Sequence, residues 1–169
     1  MKDIYILLLL FFGISGIAQT NPQAATSAPD TEPLPEPTSI VTDYEHLYTP
    51  YQEEQLTDLM NRHHLETGIK IILVTINPLK TQKEHFEEII IHAGDVLGAD
   101  KKSIIIGISA GYHRIRIING ANVIPYLSDK KTNEIINAVF VPQFGENQYY
   151  QVTVNGINEI VRVIKEGNK

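Results

Sequence analysis

The chain has 169 residues, 43% hydrophobic and 20% charged, a length suited to one globular domain. It contains no cysteine, which excludes a disulfide framework, a thiolate metal site and thiol nucleophile chemistry. The formal net charge is −6 and no Lys/Arg block occurs, so no nucleic-acid partner is expected.

Residues 1–19 place a lysine before the apolar run Ile4 to Phe12, then small residues, with Gly16 and Ala18 suited to the −3 and −1 positions of a cleavage site. This reads as a secretory signal peptide, too short for a span of about 20 apolar residues. The mature chain is therefore expected to be exported, periplasmic or secreted, with no transmembrane span. Residues 20–39 hold five of the nine prolines, no aromatic residue, and half of the net charge. They read as a disordered, partly polyproline spacer, or else as a docking motif for a proline-recognising partner. Residues 40–169 form the predicted domain.

Within it, Thr49-Pro50-Tyr51-Gln52 opens a helix through a capping box, Leu56, Leu59, Met60 and His63 recur at helical spacing, and Gly68 stops it. Ile69 to Thr75 is apolar and β-branched, the pattern of a buried strand. A second capping box, Thr81 to Glu84, predicts a helix with Phe86, Ile89, Ile90, Ala93, Val96 and Leu97 facing inward. Ser103 to Ser109 predicts another buried strand, followed by a turn and a strand from His113 to Asn119. In that last strand Arg114 and Arg116 alternate with Ile115 and Ile117, which places it near a sheet edge. A third helix starts at Ser128 or Asp129 and ends at Pro142. A fourth, from about Gln148 to Glu166, is weak by propensity and needs packing to hold it. The strand–helix–strand unit at 69–109 predicts a right-handed parallel crossover, and the hairpin adds an antiparallel strand. The expected fold is α/β, a three-layer α/β/α sandwich around a small mixed sheet.

Several short segments, in order, resemble the TPM domain family, which includes thylakoid-lumen photosystem II repair proteins and bacterial envelope proteins. They are Val41-Thr42-Asp43-Tyr44, Leu47, Thr49 to Leu56, Glu66-Thr67-Gly68, Val74-Thr75 and Arg114-Ile115-Arg116-Ile117. Gly120, Leu127, Asp129, Pro142, Phe144, a tyrosine at 149 or 150, and Gly156 continue the pattern. The resemblance implies an α/β/α sandwich with a crevice at one end of the sheet. In some relatives that crevice binds calcium or another divalent ion, and acid-phosphatase activity is attributed to plant members. The chain departs from the pattern at Lys101-Lys102-Ser103, where the family has Asp-Asn-Gly, and at Gly120 to Ile124, where a second glycine and an acid are missing.

For a divalent cation such as calcium, the candidate ligands are Asp43 and Asp129, with Asp100 in the shortened loop. Lys101 and Lys102 would oppose a cation there, and calcium takes about six or more oxygens. For an anion, Lys101, Lys102 and Arg116 are the candidates, but no nucleophile with a partnered base is visible. Tyr112-His113-Arg114 at the hairpin tip is the candidate protein contact, joining an aromatic ring to a guanidinium. The six histidines offer no zinc-binding spacing. These features favour a non-catalytic binding or accessory module with partners among envelope proteins, and a calcium-dependent, acid-phosphatase-like hydrolase is the alternative.

Overall fold

The computed structural model describes residues 34–146 and 148–167. The expected signal peptide and residues 20–33 of the expected spacer lie outside the described residues. Four strands form one mixed sheet in the order β1-β2-β3-β4: β1 (Val41–Asp43), β2 (Lys70–Thr75), β3 (Ser103–Ser109) and β4 (Arg114–Asn119). β1 and β3 both pair with β2 in parallel, and β4 returns antiparallel beside β3. The predicted parallel strand–helix–strand unit, hairpin and edge position of β4 are present. The short strand β1 was not anticipated: it pairs Val41 with Leu73 and Asp43 with Thr75, and so carries Asp43 to the end of the sheet.

α1 (Pro50–Thr67) begins with the predicted capping box, and Gly68 closes it in the left-handed region at φ 70°. The second capping box does not form. Residues 83–85 make a 3₁₀ turn without a side-chain cap, and α2 (Phe86–Val96) starts only at Phe86. The Tyr112 hydroxyl donates to the Thr81 carbonyl of this turn. Val96, expected inside, is exposed, because it lies at the flank of the apolar stripe, while Leu97 beside it packs on the α2-side core. α3 (Asp129–Ile135) is capped by Ser128 and runs on through a π-helical turn, Ile136–Phe140, and a 3₁₀ segment, Val141–Glu146. α4 (Tyr149–Gly167) buries seven residues, among them Val152, Ile157, Ile160 and Ile164. Burying side chains of this size stabilises by about 1.5–3 kcal/mol each, which offsets the poor helix propensity of its β-branched turn.

The sheet separates two cores. On one face Leu56, Met60, Phe140, Val152 and Ile160 from α1, α4 and the π turn pack on Ile71, Leu73, Ile104 and Ile106. On the other, Phe86, Ile89, Ile90 and Ala93 of α2 pack on Ile72, Val74 and Ile105. This is the expected three-layer α/β/α sandwich. No helix among the described residues is long and apolar enough to cross a membrane.

Candidate functional site

The carboxyl ends of β1, β2 and β3 meet at one end of the sheet, where open α/β sheets place their crevices. Asp43 ends β1. Its Oδ2 accepts the Tyr48 amide at 2.8 Å, and its Oδ1 accepts the Thr75 hydroxyl. The Thr75 oxygen in turn accepts the Glu45 amide at 2.9 Å. Glu45 bridges to the hairpin tip: Oε2 takes the Ala110 amide and Oε1 the Gly111 amide, both at 2.8 Å. Gly111 allows this approach, since a Cβ there would lie 2.4 Å from Pro78. His46, at φ 57°, supplies the reversal that sends the chain from β1 into α1. The four carboxylate oxygens of Asp43 and Glu45 are thus all used by donors of the chain itself.

The surrounding groups are neutral or shifted. Tyr48 is buried, and its hydroxyl pairs with Thr153 of α4 at 2.9 Å. Burial pushes its phenol well above the usual range, the Thr153 bond opposes this in part, and the Asp43 and Glu45 charges add to it. Burial, helped by the Glu36 charge, pushes Tyr44 up to about 12. The Glu53 carboxyl is raised by burial and by Asp43, with His46 pulling the other way.

The other two candidate metal ligands sit at the opposite end. Asp100 precedes β3, and its Oδ1 accepts the Lys102 amide at 2.7 Å and the Ser103 hydroxyl at 2.9 Å. Those bonds hold its carboxyl below the ordinary range. Asp129 is the exposed first residue of α3, behind the Ser128 cap. β3 spans seven residues, so the two ends are roughly 20 Å apart. Asp43 cannot share an ion with Asp100 or Asp129, and among the described residues no three His, Asp or Glu side chains gather to hold a metal.

The anion and contact candidates are dispersed too. Lys101 and Lys102 are exposed beside Asp100, and their carbonyls accept the amides of Asn122 and Lys70. Arg116 lies on the edge strand, 3.5 Å from Glu87. Arg114 shares Glu87 and stacks 4.7 Å from the centre of the Phe86 ring. Tyr112 does not project from the hairpin tip. Its hydroxyl is drawn down onto the Pro78 and Thr81 carbonyls, and its ring joins the α2-side core. The expected exposed contact reduces to His113, held at φ 50°.

A separate open cavity of about 430 Å³ lies between α3 and α4. On its charged wall Arg162 bonds both Glu159 and Glu166 at 2.6 Å each. The residues that organise the sheet end but escaped sequence reasoning are Glu45, Tyr48 and Thr75. One signal was available: Asp43 and Glu45 flank a tyrosine, two residues apart, just ahead of the α1 capping box.

Fold and site together define an α/β/α domain with a hydrogen-bonded carboxylate network at the carboxyl ends of its parallel strands. The family model described as the TPM domain matches residues 41–163, and the chain belongs to that family. Among solved structures it is similar to the N-terminal domain of a P. gingivalis protein, at TM-score 0.66 and 18% identity over 75% of this chain and 82% of that one. It is also similar to the N-terminal domain of the cg2496 protein from Corynebacterium glutamicum, at TM-score 0.54 and 10% identity over 78% and 81%. No curated protein matches it in sequence.

Proposed function

We propose that this TPM domain is an exported binding or accessory module of the cell envelope with no turnover of its own. The observation that carries this reading is the internal use of Asp43 and Glu45. Each of their four oxygens already accepts a donor of the chain, so a cation would have to share both carboxylates with the hydrogen bonds that hold the loop. A hydrolase would further need a nucleophile or a metal-bound water. Thr75, the hydroxyl beside Asp43, is fully buried and already bonded on both sides. Export rests on the amino-terminal signal, and the proline-rich stretch would then space the domain from whatever holds it.

The test is a thermal melt of the chelator-stripped protein with and without millimolar calcium, magnesium or manganese, paired with a phosphomonoester assay. A ligand specific to the folded state stabilises by RT ln(1 + [L]/Kd), about 2.7 kcal/mol at a hundredfold excess over Kd. The expected result is no shift and no hydrolysis. A rise of several degrees, with hydrolysis that disappears in Asp43→Ala, would establish the metal-dependent phosphatase instead.

A further inference from the structure

Residues 34–39 were expected to belong to a free spacer, yet they lie against the domain. Leu34 packs on the α2-side core, and Pro37 is buried. The Tyr44 hydroxyl donates to the Pro35 carbonyl at 2.9 Å. Glu36 reaches toward His92 of α2, but its Oε1 stops 3.7 Å from Nε2. That nitrogen is buried and lacks a hydrogen-bond partner. The Thr42 hydroxyl then accepts the Ser39 amide and donates to the Ser39 carbonyl, while the Ser39 hydroxyl donates to the Val41 carbonyl, and these bonds fix the entry into β1.

These contacts have the form of proline-rich peptide recognition. The two prolines fix their own φ and restrict the residue before each to extended backbone, so the segment needs little ordering. An aromatic hydroxyl holds one carbonyl, and pockets take the leucine and a proline. The hold is also incomplete, because the acid between the prolines falls short of the nitrogen it faces. We propose that the groove between Tyr44 and α2 binds an extended Leu-Pro-acid-Pro segment of a partner protein, and that residues 34–37 are its tethered stand-in. The partner's advantage is specific: an acid seated slightly deeper completes the hydrogen bond to His92 that Glu36 misses. The tether works against it, since a short linker gives the internal segment an effective concentration in the millimolar range. This inference deepens the binding role proposed above by giving one surface a ligand chemistry.

The experiment uses the full chain and a synthetic peptide with the sequence of residues 32–38, blocked at both ends, followed through the NMR signals of Tyr44 and His92. In Leu34→Ser/Pro37→Ser, which loosens the stand-in, the peptide is expected to saturate and return both signals toward their wild-type positions. The wild-type chain should need about tenfold more peptide or show no binding, reflecting the tethered competitor. Replacing the peptide's prolines that correspond to Pro35 and Pro37 by alanine should abolish the effect. If the double variant does not fold, Leu34→Ala alone weakens the stand-in and leaves the groove intact, and peptide should compete at several-fold lower concentration than with wild type. No binding to the loosened variant, equal binding of a scrambled peptide, or no change in Leu34→Ala would each overturn the groove. A concentration-dependent wild-type dimer that the double variant abolishes would assign the groove to a second copy and overturn the partner. Failure here, with the metal and hydrolysis assays still negative, removes this groove and leaves the wider binding role standing.

Discussion

Asp43 works as a joint between chain segments. It receives the backbone of the loop leading into α1 and the hydroxyl of β2, while Glu45 ties the same loop to the β3–β4 turn. Asp43→Ala strands the Tyr48 amide and the Thr75 hydroxyl in a half-buried place. Leaving such groups unsatisfied costs about 1–3 kcal/mol, so the urea midpoint should fall with little change in slope. Asp129→Ala, at an exposed position behind an intact Ser128 cap, should move the midpoint far less. Equal losses from the two would contradict the different roles given to these acids.

At the scale of elements, the contact between α4 and the π-helical turn depends on one missing side chain. A Cβ on Gly156 would lie 2.0 Å from Phe140 Cζ, and Phe140 is fully buried. Gly156→Ala therefore overpacks this core, although alanine is the better helix former. Overpacking costs about 1–3 kcal/mol. The melting temperature should drop, and Phe140→Leu should restore part of the loss in the double variant; simple additivity would refute the contact. Most elements were legible in the sequence because their signals are local. The α1 capping box, the isoleucine-rich strands and the alternating β4 each carry their pattern within a few residues. β1 was not legible, since three residues show no period and their strand character comes from pairing with β2. The Thr81 box was a false local signal: the turn is instead tied to Tyr112, 31 residues away, through the Thr81 carbonyl. The sheet-end network was hidden for the same reason: Glu45 finds its partners 65 and 66 residues downstream.

For the whole molecule, the two phenols near the sheet end set an alkaline limit. Tyr44 is raised to about 12 and Tyr48 is raised as well, against an ordinary value of 10.0. Both hold their protons more tightly folded than unfolded. Their contribution is complete below pH 10 and declines as pH rises from 10 toward 12. Melts across that range should show the decline, and Tyr48→Phe should make it shallower while losing about 1 kcal/mol at neutral pH with the Thr153 bond. An unchanged slope would mean that Tyr48 titrates alike in both states.

The open sheet has two outer strands, and each is unsuited to pairing with another molecule for its own reason. β1 is only three residues long, and β4 sets arginines at alternate positions, held in place by Glu87. Short edges and charged edges are the means by which β proteins avoid templating one another into aggregates. Arg114 and Arg116 thereby acquire a role as spacers between copies, keeping an isoleucine-rich sheet from growing when many chains crowd together.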